Sequence, residues 1–143
     1  MKTNLPKGLI SFKEAVELNQ NFIKTRSKDL NKIVKKESGD LNREDAVSCW
    51  FSIEELKNYI AYIENEAPEA NGLRVYFGAY SNDTKKQHKK DLSTVFFVPT
   101  KSRLKSIQKD GIEDTEEGGT DITELDGLNR GTMGHPPSAT YPQ

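Results

Sequence analysis

The segment that most constrains this chain is Leu73-Arg74-Val75-Tyr76-Phe77-Gly78-Ala79-Tyr80, in which apolar residues recur at every second position. Successive side chains of a strand point to opposite faces. Leu73, Val75, Phe77 and Ala79 therefore share one face, and Arg74, Tyr76, Gly78 and Tyr80 the other. A polar loop with Lys85, Lys86, Lys89 and Lys90 follows, and then Ser93-Thr94-Val95-Phe96-Phe97-Val98-Pro99. Residues 94–98 show no polar alternation, which places that strand inside a sheet with both faces covered. The two runs read as an antiparallel hairpin with an unusually long loop.

Upstream, residues 47–51 (Val-Ser-Cys-Trp-Phe) are rich in strand formers and hold the only Trp and the only Cys. They end at Ser52-Ile53-Glu54-Glu55, a capping-box pattern that starts a helix. Ile53, Leu56, Ile60 and Ile63 recur at helical spacing until Pro68 and Asn71-Gly72 stop the helix and turn the chain. A strand, a helix and a strand in succession make a right-handed crossover the default, so strands 47–51 and 73–80 are expected to be parallel neighbours or near neighbours. The Leu73/Val75/Phe77/Ala79 face is expected to pack on the Ile53–Ile63 stripe.

The N-terminal part carries a second capping box, Ser11-Phe12-Lys13-Glu14. Phe12, Ala15, Val16, Leu18, Phe22 and Ile23 follow near helical spacing. Leu30, Ile33 and Val34 continue the stripe beyond a polar break at 24–29, so one long helix and two short ones fit equally well. Gly39 ends the region, because glycine tolerates the left-handed conformation that closes helices. After Pro99 the pattern fades into an acidic stretch and a Gly/Pro-rich end that is expected to be extended.

The expected fold is α+β: a small mixed sheet (strands about 47–51, 73–80 and 93–99), a crossover helix at about 53–66 and an N-terminal helical region at about 11–37. At 143 residues the chain reads as a single domain, 1–143, with a 47–100 core and a 101–143 extension. One cysteine excludes an internal disulfide framework and a multi-cysteine zinc site. The chain shows no leader pattern, no apolar run near membrane length and no lipidation signal, so a soluble, cytoplasmic protein without membrane partners is expected.

The net charge of −1 predicts neither nucleic-acid nor membrane binding. The charge is nevertheless uneven. Residues 111–127 hold seven acids and no base, while Lys85, Lys86, Lys89 and Lys90 are clustered. Both runs are expected to be solvated loops, with contact between them the sharper alternative.

Residues able to do chemistry are few. His88 lies among lysines, whose charge disfavours its protonated form, and His135 lies in the Gly/Pro tail. Cys49 beside Trp50 reads as a small buried hydrophobe rather than a nucleophile. The two histidines lack metal-ligand spacing, the acids do not follow a calcium-loop template, and no phosphate-binding glycine motif is present. No catalytic residue, metal ligand or cofactor is expected.

The face with Arg74, Tyr76 and Tyr80, joined by Trp50 in a simple register, is the candidate surface. Gly78 leaves a gap there for close approach. Such a face could stack bases while Lys85, Lys86 and His88 held phosphates, although the order around Gly78 departs from the RNA-recognition signature. Alternatively the N-terminal helix packs on it. A third reading has Pro136 and Pro137 of the tail docking on the Trp50/Tyr76/Tyr80 aromatics, as polyproline segments do.

The block from Trp50-Phe51-Ser52 through Gly72–Tyr80 to Val95-Phe96-Phe97-Val98-Pro99-Thr100 resembles small bacterial proteins of the Bacteroidetes type that have no assigned function. The resemblance extends over about half the chain and includes the Pro-Pro tail. It implies a complete small α+β protein and carries no activity, ligand or catalytic residue. The function expected is a non-catalytic binding or regulatory module acting through a protein partner or self-association. A small-molecule-processing enzyme with a site near Arg74, Tyr76 and the 81–92 loop is the first alternative, and a weak single-stranded nucleic-acid binder the second.

Overall fold

The computed structural model describes residues 4–104, 115–129, 131–134 and 136–143. The N-terminal region is one continuous helical rod: α1 (Phe12–Phe22), a π-helical turn (Ile23–Ser27) and α2 (Lys28–Ser38). The Ser11 hydroxyl accepts from the Glu14 amide, and the Glu14 carboxylate accepts from the Ser11 amide at 2.7 Å, so both halves of the capping box form. The polar break at 24–29 does not interrupt the rod. It widens it by one π turn, where the Thr25 hydroxyl donates to the Asn21 carbonyl. Gly39, at φ +72°, closes α2 by donating to the Lys35 carbonyl.

A short strand, β1 (Cys49–Trp50), leads into α3 (Ile53–Glu66), capped by the Ser52 hydroxyl on the Glu55 amide. Then come β2 (Ala70–Ala79), β3 (Ser93–Leu104), β4 (Thr115–Asp121) and β5 (Thr132–Met133). The α+β class stands, but the sheet is not mixed. β2, β3 and β4 form an antiparallel three-stranded sheet in that order, and β1 pairs with β5 in a separate antiparallel pair. The expected parallel crossover therefore fails. β1 is only two residues long, and its ladder goes to Thr132 and Met133, so α3 joins two different sheets.

β3 is the central strand, as its unbroken apolar run implies. Pro99 costs no hydrogen bond to β2, because its backbone faces the other side, where its carbonyl accepts from Ile122 just past β4. β4 lies in the acidic stretch. A Cβ on Gly119 would collide with the backbone of Lys101 and Arg103, so this glycine permits the close approach at the register shift between those two residues.

The core is divided. Val34 of α2, Ala46 and Leu92 form one cluster, with Met133 of β5 against it. Full burial of Leu92 contributes about 1.5–3 kcal/mol. Tyr59 and Ile63 of α3, Ala67 at its C-cap, Pro99 and Ile122 after β4 are also buried. Asp45 ties α2 and the 40–47 segment to the start of β3. Its buried carboxylate accepts from the Ser93 amide and hydroxyl and from the Ala46 amide, while its own amide donates to Asn31.

Candidate functional site

The two faces of β2 exchange the roles the sequence suggests. The Arg74/Tyr76/Tyr80 face is the more covered one, with Tyr76 still 37% exposed. The Arg74 guanidinium donates to the Asp121 carboxylate and, at 3.1 Å, to the Gly119 carbonyl, while the Tyr76 hydroxyl donates to the other Asp121 oxygen. Partial desolvation works against the Arg74 charge, but the hydrogen bonds to Tyr76 and Asp121 and the Asp121 charge outweigh it and raise its pKa. Tyr76 stacks on Phe96 with ring centroids 5.4 Å apart. Farther along, the Tyr80 hydroxyl donates to Asn129 at 2.8 Å, and the Asn129 amide donates to Val95 and Thr94.

What lies against this face is the chain's own return, with Gly119, Asp121 and Asn129, not the N-terminal helix: α1 has no buried residue. Trp50 does not join the aromatic cluster. It is 63% exposed, while Cys49, its neighbour in β1, turns toward Thr94 with sulfur and hydroxyl 3.8 Å apart. The assumed register is inverted because β1 belongs to the other sheet.

The lysine loop is split in the same way. Lys85, Lys86 and His88 are exposed, but Lys89 is buried, its ammonium over the Tyr80 ring and 3.4 Å from the Gly131 carbonyl. Arg43 holds the loop backbone by donating to the carbonyls of His88 and Lys90. Of the acids, Asp121 meets Arg74 of the sheet rather than the lysine loop.

The tail folds back, though not onto the aromatic face. Pro136 and Pro137 line a cavity of about 400 Å³ with Asp40, Asn42, Arg43, Glu44 and Leu92. The Pro137 carbonyl accepts from Val47, and the Tyr141 ring lies 5.6 Å from Phe12. The aromatic face is already contacted by Gly119, Asp121 and Asn129, and the tail lies instead against α1 and the 40–47 segment. His135 lies outside the described residues, as do Ile107 and Ile112.

The face expected to be core is open. Phe77 is 89% exposed and Val75 48% exposed. α3 reaches the sheet over β3, not β2: the Tyr59 hydroxyl donates to the carbonyls of Asp126 and Phe97, and Phe51 packs edge-on against Phe97. β2 is an edge strand that the helix approaches only at its start, near Leu73. Ile53 (73% exposed) and Ile60, seven positions apart on one flank of α3, are left facing solvent as well. Ile60 and Leu73 line one cavity of about 440 Å³ between α3 and the start of β2.

The hydrogen-bond parity of β2 follows from its neighbours. The Tyr80 amide donates to Leu92, toward β3, whereas the Phe97 amide, opposite Val75, donates to Leu128 on the far side. Amide direction alternates along a strand. The N–H and C=O groups of Leu73, Val75, Phe77 and Ala79 therefore point outward, away from β3. Among the described residues no strand pairs with that edge. β2 carries none of the usual blunting devices over 73–79, with no Pro and no Lys, and its one charge, Arg74, is drawn in by Asp121.

Neither cavity is lined by Arg74, His88 or Cys49. Among the described residues no three His, Cys, Asp or Glu side chains gather as metal ligands would, and no helix is long and apolar enough to cross a membrane. The chain matches no family model, no curated protein and no solved structure.

Proposed function

We propose that this chain is a binding module that acts through protein contacts, offering the outer edge of β2 and the apolar face beside it to another polypeptide strand. The observation that carries this reading is Phe77. A phenylalanine 89% exposed in a regular strand, next to exposed Val75 and an edge that no described strand pairs with, has no role in the described core. Strand addition at an open sheet edge uses main-chain hydrogen bonds for affinity and alternate side chains for selectivity. The apolar alternation of 73–79, its outward amides and the flanking Ile53 and Ile60 match that mode of recognition.

The test is affinity purification from the native host with the wild-type chain and with Phe77→Lys. Since Phe77 touches little of its own fold, the variant should keep its circular dichroism spectrum and melting temperature while losing the co-purifying chain. Retention of the same chain by the variant would remove the β2 face as the contact.

A further inference from the structure

We infer that the strand added to β2 is β2 of a second copy of this chain, paired antiparallel about a two-fold axis at Val75. This rests on the binding reading above and names the partner. Three features of the strand favour a copy of itself.

The first is register. Centred on Val75, the outward amides of Leu73, Val75 and Phe77 meet those of Phe77, Val75 and Leu73 of the second copy, as an antiparallel ladder requires. The side chains that meet are complementary. Phe77 lies opposite Leu73 of the second copy on the open face, and Arg74 lies opposite Tyr76 of the second copy on the other. The aromatic–aliphatic pair is a favourable cross-strand neighbour, and no like charges are opposed.

The second is charge at the ends. Antiparallel pairing brings the chain beyond the end of one β2 beside the chain preceding the other. Exposed Lys85 and Lys86 follow β2, and exposed Glu64, Glu66 and Glu69 precede it. Each copy's basic loop thus lies by the other's acidic turn, and symmetry makes the match twice. The third is that the net charge of −1 gives two copies almost no overall repulsion. The product is a continuous six-stranded antiparallel sheet with Val75 and Phe77 of both copies joined on one face.

Sedimentation of the purified chain over a wide concentration range tests this. The expected result is a reversible dimer, lost in Phe77→Lys without change in fold. In a Cys49→Ser background, Val75→Cys should form an intermolecular disulfide on mild oxidation, because directly opposed residues lie within disulfide reach. Cross-linking through Tyr76→Cys but not Val75→Cys would overturn the register. Lys85→Glu with Lys86→Glu should weaken the dimer roughly ten-fold at low salt, and adding Glu66→Lys and Glu69→Lys should restore it.

A wild-type chain that stays monomeric throughout overturns the inference. If Phe77→Lys still loses a co-purifying chain, the β2 reading survives that failure. A Phe77→Lys variant that dimerises normally and keeps every partner ends both.

Discussion

Arg74 and Asp121, 47 positions apart in sequence, are joined by an ion pair on the covered face of the sheet. Asp121 is the last residue of β4 and opposes Thr100 of β3, so this contact spans all three strands. It also draws the only charge of 73–79 away from the open edge. A contact that orders the fold thereby leaves an uncharged strand available for pairing.

Asp121→Ala should cost roughly 1–2 kcal/mol in denaturant unfolding, because it removes the acceptor of both Arg74 and Tyr76 while both charged side chains keep part of their solvent access. Arg74→Met in the same background should then cost little more. Independent, additive costs for the two substitutions would contradict the coupling.

Much of this fold is legible in the sequence, and the failures have physical causes. Both caps, the helix bounds and the hairpin follow from local chemistry: hydroxyls on free amides and period-two alternation. β4 (TEEGGTD) has no apolar residue to reveal it, since it pairs through its backbone and a glycine bulge. The largest error concerns which face of β2 is buried. Alternation shows that Leu73, Val75 and Phe77 share a face, but not whether the strand is central or at an edge. That depends on where residues 119–129 return, and Asp121 and Asn129 carry no sequence signal for it beyond being polar.

The N-terminal cap offers a local check. The Ser11 amide and hydroxyl hold the Glu14 carboxyl below its ordinary 4.5. A lowered carboxyl pKa stabilises the fold above its unfolded value and is lost as pH falls through the folded one. Ser11→Ala keeps the amide, the larger cause, and removes the hydroxyl, so it should return the Glu14 titration, followed by NMR, only part of the way toward 4.5 and lower the melting temperature by about 3 °C.

Asp45 should be among the least replaceable residues. Its carboxylate is the partner of the Ser93 amide at 2.6 Å and the Ala46 amide at 2.9 Å, and the side chain is only 1% exposed. Asp45→Ala leaves buried donors unpaired at the junction of α2, the 40–47 segment and β3, and should cost roughly 2–4 kcal/mol. Asp45→Asn keeps one acceptor and should cost less. Equal losses from the two would mean that the carboxylate's charge, not its geometry, holds the junction.

Tyr59 sets the alkaline limit of the fold. Burial first, and then the proximity of Tyr62 and Asp126, raise its pKa above the ordinary 10.0. The neutral phenol is the form that donates to the carbonyls of Asp126 and Phe97. A raised folded pKa means that the folded state holds its proton more tightly than the unfolded chain. Its contribution is complete below pH 10 and is lost as pH rises through the higher folded value. Tyr59→Phe should cost about 1 kcal/mol at neutral pH through the lost hydrogen bonds. The difference between variant and wild type should then shrink above pH 10, because only the wild type has a proton to lose there. Melting curves measured from neutral to strongly alkaline pH decide it: parallel stability profiles for the two proteins would show that Tyr59 does not carry the alkaline transition.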